Sequence, residues 1–331
     1  MVLFLICMVG PFKWRQIPLD SFDIYKVSAV CLNPDGVLAV QNNDPKQLIL
    51  FATTGELIGR FGRSGQGPQE FAYVPEIFWD PHRQAFGLLD ETQNRVSFWS
   101  AEGQFREMLI LPRFQWTQSI HGLGDGSVVF ISDVFGYAQK PPQIHRVIGP
   151  EHQVLRHFTM DQPFSGTART EMGPFGMVND FHPRLLMDVG ANLMVVCNSQ
   201  DPTVYVLNQD GTAIGQVTAT LQAYEVTDTY LRAWLRTHEP FVQQMVQLAN
   251  IEKTKVFPMI HKLLVDDAQR IWIFGQQGPL TGRYETQVYQ DFNLVWAGFV
   301  DHLPFQIAGQ NQLLLLETDA GLMIQSQPIP F

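Results

Sequence analysis

Three histidines and two acids are the side chains of this chain best placed by type to do chemistry together. His121, His182 and His261 each stand near the start of a separate apolar segment, and Glu76 and Asp180 occupy comparable places. Imidazoles and a carboxylate converging on one point would bind a divalent metal, with Glu76 or Asp180 as the fourth ligand. No spacing defines that set, so it exists only if the fold gathers the segments. Signatures of other chemistries are missing: the chain has no Gly-x-Ser-x-Gly elbow and no His-Glu-x-x-His pair. Cys7, Cys31 and Cys197 form no Cys-x-x-Cys unit, which points to neither a zinc site nor a disulfide framework. Cys31 and Cys197 fall in strand-like runs and read as buried thiols.

The glycine-rich stretch Gly59–Phe71, GRFGRSGQGPQEF, is the other candidate. A phosphate cradle would need Lys followed by Ser or Thr and then a helix, but Pro68-Gln69-Glu70 follows the glycines. A dinucleotide fingerprint would need a surrounding βαβ pattern, and none is present. The stretch reads as a structural linker built from sharp turns.

Its flanks show what it links. Val30–Val40 reads as strand, Asp35-Gly36 turn and strand, and Gln47–Phe61 as strand, Thr54-Gly55 turn and strand. The same order returns in Pro75–Asp90 and Asn94–Leu111, with Glu102-Gly103 at the second turn. Short alternating apolar runs separated by such turns are four-stranded antiparallel units. The second turn recurs near Gly149-Pro150, at Asp210-Gly211 and near Asp291-Phe292. Early intervals have the length of one propeller blade, and insertions stretch the later ones.

On these residues the chain resembles six-bladed β-propellers of the NHL-like kind. It also resembles bacterial propellers whose early blades are joined by a G-x-G-P-x-E-F linker, which here is Gly65-Gln66-Gly67-Pro68-Gln69-Glu70-Phe71. The fold expected is therefore all-β: one six-bladed propeller over residues 13–331. The last blade, Pro304–Ile329, holds only three strands, so Lys13–Asp20 is expected to supply the fourth and close the ring, leaving no free sheet edge between first and last blades. The resemblance implies that ligands bind at the channel face, where the inner strands begin. It leaves function open, since propellers host lyases, hydrolases and pure binding proteins. Recurrent acids after second strands, such as Asp90, read as loop-fixing groups.

Composition narrows the partners. A net charge of −10 without a Lys/Arg cluster argues against nucleic acid. Charged residues are only 16% of the chain, which favours apolar surface patches and hence protein partners.

Two segments exceed what a propeller requires. Residues 1–12 form an apolar arm that reads as a signal, an anchor or a docking segment, and ten apolar residues are about half of the roughly 20 that span a bilayer. Between blades 4 and 5, residues 226–257 carry two short helical patterns split by Pro240. Leu3, Phe4, Leu5 and Ile6 of the arm, with Tyr230, Leu231, Trp234, Leu235, Phe241 and Met245 of the insertion, are the expected partner-binding residues. The functional expectation is a non-enzymatic, structural or protein-binding propeller without a cofactor. It would be periplasmic or extracellular and docked on a membrane-associated complex, with membrane contact through the arm. The alternative is a lyase or hydrolase using one divalent metal at the channel mouth, held by Glu76, His121, Asp180, His182 and His261.

Overall fold

The computed structural model describes residues 13, 15–111, 116–133, 143–148, 153–158, 185–225, 227, 229, 259–278, 281–319 and 321–330. They form six four-stranded antiparallel sheets arranged as a propeller. Blade 1 runs Val27–Leu32, Leu38–Asn43, Lys46–Phe51 and Leu57–Phe61; blade 2 runs Glu76–Asp80, Ala85–Asp90, Arg95–Trp99 and Phe105–Ile110. Blades 3, 4 and 5 begin with the inner strands Trp116–Gly122, Leu185–Val189 and Ile260–Val265. Blade 6 has Gln306–Ala308, Asn311–Thr318 and Gly321–Pro328, and its fourth strand is Gln16–Pro18.

That fourth strand closes the ring as expected, pairing Gln16 with Gln325, Ile17 with Ile324 and Pro18 with Met323. It is shorter than the predicted Lys13–Asp20, because Leu19–Phe22 turns into a single 3-10 segment ended by Asp23 in the left-handed region. Pro18 has no amide hydrogen to extend the ladder. The predicted turns lie between strands, and Gly36, Gly55, Gly103, Gly126 and Gly211 all adopt φ near +85°. The arm 1–12 and, apart from Thr227 and Thr229, the predicted insertion 226–257 lie outside the described residues.

Each sheet is buried on both faces, which explains why its middle strands read as continuous apolar runs. In Lys46–Phe51, Leu48 and Leu50 join a cluster with Phe71 of the linker and Phe86 and Trp99 of blade 2. Ile49 and Phe51 point the other way, into a cluster with Ile17, Leu313 and Ile324 of blade 6. Alternation along one strand thus supplies two interfaces. The described residues contain six such clusters, one at each junction between blades. Cys31 and Cys197 are buried thiols within these junctions, and burial pushes the Cys31 thiol up to about 12.

The glycine-rich linker folds on its own acid. The amides of Gln66 and Gly67 donate to Glu70 Oε2 at 3.0 and 2.9 Å, and Arg63 Nε donates to Glu70 Oε1 at 2.8 Å. The Gly67 amide, followed by the Arg63 side chain, holds the Glu70 carboxyl below its ordinary range. A phosphate would need those same amides, so the internal carboxylate excludes the cradle. Gly65 sits at φ +153°, and a Cβ there would lie 2.1 Å from Glu70 Oε2. Buried Arg95 fastens the loop to blade 2, donating to the carbonyls of Gln66, Gly67 and Glu70 at 3.0, 2.7 and 2.6 Å. It also stands 3.8 Å from buried Asp90, which accepts the Ala72 amide at 2.8 Å, the loop-fixing role read from sequence. Replacing Arg95 with Met would strand three carbonyls and a buried carboxylate. Arg95→Met should lower unfolding free energy by about 3 kcal/mol in urea titration, whereas Arg63→Met at the exposed end of the same loop should cost about 0.5 kcal/mol or less.

Candidate functional site

The inner strands line the channel, and each has one edge with no neighbouring strand of its own sheet. Backbone groups along such an edge need partners. Each inner segment sends one polar side chain to the backbone of the next blade. Ser28 Oγ donates to Val74 O at 2.7 Å, and Glu76 Oε2 accepts the Ile120 amide at 2.8 Å. Ser119 Oγ donates to Met187 O at 3.2 Å, and Asp188 Oδ2 accepts the Val265 amide at 2.6 Å. Lys262 Nζ donates to Pro304 O at 2.7 Å. Gln306 completes the circuit with both atoms of its amide: Oε1 accepts the Leu32 amide at 2.8 Å, and Nε2 donates to Leu32 O at 2.9 Å.

Several of these groups stand close enough to influence one another. His121 Nε2 lies 2.9 Å from Ser119 Oγ, and His121 Nδ1 lies 3.6 Å from Asp188 Oδ1. The His121 and Asp188 side chains keep 21% and 16% of their surface exposed, so the channel reaches them. Burial lowers the pKa of His121, and the neighbouring Asp188 charge opposes that shift. Burial raises Asp188, against the pull of His121 and the Val265 amide. Glu76 is pushed up to about 8, first by burial and then by the charges of Glu91 and Asp188, so it holds a proton at neutral pH.

Of the residues predicted to ligate a metal, Glu76 and His121 flank Ile120 and line one stretch of channel. His261 is turned away, its ring 5.9 Å from that of Tyr284 in its own blade. Asp180 and His182 lie outside the described residues, as do the partner-binding residues of the arm and of the insertion. Among the described residues, no group of three or more His, Cys, Asp or Glu side chains is arranged to hold a metal. Sequence reading passed over Ser119, Asp188 and Lys262. The strand bulge that aims Ser119 has no signature in residue type, and Asp188 reads as an ordinary strand-end acid.

Outside the channel, the outer strand of blade 5 stands apart. Asn293–Val300, NLVWAGFV, has eight residues and no charge. Leu294, Val295 and Phe299 are 50%, 47% and 44% exposed, and Phe292 in the preceding turn packs over Gly215 of blade 4. Phe105–Ile110 bears Arg106 and Glu107, Leu57–Phe61 bears Arg60, and Gln16–Pro18 is short and ends in proline, while Ala213–Thr218 is uncharged as well but shorter, with Ile214 as its one exposed large apolar side chain.

The proton on Glu76 links stability to pH. The folded protein retains it up to about pH 8, whereas an unfolded Glu loses it near its ordinary value of 4.5. Between those values the folded state binds more protons, so stability from this site is complete below about pH 4.5 and falls as pH rises towards 8. Glu76→Gln keeps an acceptor for the Ile120 amide and cannot ionise. It should flatten that decline and gain about 2 kcal/mol over the parent at pH 9, read from urea midpoints across pH.

The fold has known relatives. Residues 15–133 match the family model DUF5128, described as a 6-bladed beta-propeller, which covers the closing strand, blades 1 and 2 and the first half of blade 3. No curated protein matches the sequence. A member of the DUF4221 family from Bacteroides vulgatus is similar over 97% of this chain and 98% of its own, at 10% identity and a TM-score of 0.60. A Bacteroides fragilis protein described as exported is similar over 92% and 91%, at 11% identity and a TM-score of 0.53. A catalytically inactive virginiamycin B lyase from Staphylococcus aureus, solved with quinupristin, is similar over 96% and 100%, at 8% identity and a TM-score of 0.52. At these identities the likeness is one of fold alone: the chain is an all-β propeller.

Proposed function

We propose that this propeller is a protein-binding subunit that docks an extended segment of its partner along the outer edge of blade 5. The observation that carries this reading is the Asn293–Val300 strand: eight uncharged residues with exposed Leu294, Val295 and Phe299, and an outer edge unpaired among the described residues. An unpaired edge offers a row of amides and carbonyls to an incoming strand, and exposed alternate side chains add apolar contact. With a chain charge of −10, an uncharged strand is also where a partner meets least electrostatic resistance.

The arm 1–12 and the insertion 226–257 are further contacts under this reading, through Leu3, Phe4, Leu5, Ile6, Tyr230, Leu231, Trp234, Leu235, Phe241 and Met245. The Bacteroides fragilis protein described as exported supports a periplasmic or extracellular setting, and the apolar arm supports attachment to a membrane-bound assembly. No helix among the described residues is long and apolar enough to cross a membrane.

A fluorescent peptide carrying the Asn293–Val300 sequence between flanking lysines is a defined probe of the edge. Saturable binding to the full chain by anisotropy is expected, with affinity reduced about tenfold or more in Val295→Lys, since a lysine on an edge strand blocks strand addition. Absence of binding, or equal binding to the variant, would overturn the assignment.

A further inference from the structure

We propose that Ser119, His121 and Asp188 form an acyl-transfer centre in the channel, with Ser119 as nucleophile, His121 as its general base and Asp188 positioning the imidazole. This parts from the sequence-based expectation of a non-enzymatic channel and is independent of the docking edge, which lies on the outer strand of blade 5.

Geometry comes first. Ser119 Oγ is 2.9 Å from His121 Nε2, within reach for proton transfer, and His121 Nδ1 faces Asp188 Oδ1 at 3.6 Å. The other oxygen of Asp188 is fixed by the Val265 amide at 2.6 Å, so the carboxylate is held by a neighbouring blade. This is the nucleophile, base and orienting acid of serine acyl transferases, recognised by geometry and not by order in the chain.

Ser28 provides an internal comparison. It makes the same kind of latch, donating to Val74 O at 2.7 Å, and does so without positive φ. Both serines lie at a register shift of their inner strand, Ser28 between Val27 and Ala29 and Ser119 between Thr117 and Ile120, but Ser119 alone of the two adopts positive φ, +38°. The other non-glycine residues with positive φ, among those described, flank turns or end 3-10 segments: Asp23, Gln84, Asn94, Gln269, Asp291 and Phe292. A latch to the Met187 carbonyl needs neither the strained backbone nor the imidazole. Strained backbone conformations concentrate at working sites.

The single hydroxyl proton of Ser119 has two acceptors in reach, Met187 O and His121 Nε2. Rotation from the first to the second converts a latch into an activated nucleophile. Glu76, whose Oε2 accepts the amide of the residue following Ser119, carries a proton at neutral pH and so places no full negative charge beside the reacting oxygen.

The substrate class is a carboxylic ester able to enter the channel. Ser119 Oγ bonds to the carbonyl carbon as its proton passes to His121 Nε2. The tetrahedral adduct then expels the alcohol, which takes that proton, leaving an acyl-Ser119 ester. Water attacks the acyl carbon and gives a proton to His121 Nε2. The acid departs, and Ser119 Oγ recovers the proton. Ester and water become acid and alcohol, with no oxidant, reductant or metal required.

The test begins with the unaltered protein, so folding of a variant is not at issue. The full chain is incubated with a fluorophosphonate, which phosphonylates activated serines, and the adduct is mapped by mass spectrometry of the peptide containing Ser119. Modification at Ser119 is expected, absent after heat unfolding and slowed about a hundredfold in His121→Gln. Asp188→Asn keeps an acceptor for the Val265 amide but loses the charge. It should slow labelling with an unchanged urea midpoint, and Asp188→Glu should recover part of the rate. No adduct at Ser119 in the folded protein, or equal labelling of the parent and His121→Gln, would overturn the proposal. Failure of Asp188→Glu to exceed Asp188→Asn would remove Asp188 from the relay.

Discussion

A propeller has six inner strands whose channel-side edges face no strand, and the arrangement must satisfy those edges without joining them into one sheet. This chain does so with six side chains of five kinds, Ser28, Glu76, Ser119, Asp188, Lys262 and Gln306, each reaching the backbone of the following blade. The apolar clusters between blades are non-directional and would tolerate sliding of one sheet on the next. The latches are directional and fix the height of each blade against its neighbour. Gln306 matters most for closure, because its two bonds to Leu32 tie the inner strand of the last blade directly to that of the first. On the outer side, the pairing of Gln16–Pro18 with Met323–Gln325 ties the same two blades a second time.

The fold was legible because its main cause is periodic. Buried sheets with tight turns leave apolar runs and glycines at repeating places, and those survive in any order of reading. Blades 1 and 2 were clearest, since the Gly59–Phe71 linker separates them without insertion. The closing strand was legible by arithmetic, as three strands at the end of the chain require a fourth from its start.

The channel was less legible, for physical reasons. A latch is defined by reach, and residues of different length reach the same backbone from different positions. Lys262 stands four residues before Asp266, which closes its hairpin, whereas Asp188 stands two residues before Gly190 in the equivalent turn. No fixed spacing therefore marks the set. Histidine and glutamate drew notice by type, and His121 and Glu76 do line the channel, but His261 faces Tyr284 within its blade. The bulge at Ser119 is a property of register, which residue types along a single strand do not encode.

Blade 5 belongs to both proposed sites. Its inner strand supplies the Val265 amide that holds Asp188 and the Lys262 side chain that ties blade 6, while its outer strand presents the uncharged edge. Three strand spacings of about 4.8 Å separate the two, roughly 15 Å across one hydrogen-bonded sheet. Buried Trp272 and Phe274 stack within that sheet, and Trp272 Nε1 donates to buried Asp266 at 2.9 Å, so its interior is packed and polar-satisfied. A rigid sheet holds Val265 in place whether or not the outer edge is occupied. Docking along Asn293–Val300, as proposed, would therefore leave Asp188 undisturbed, which is what separate binding and chemical sites on one scaffold require.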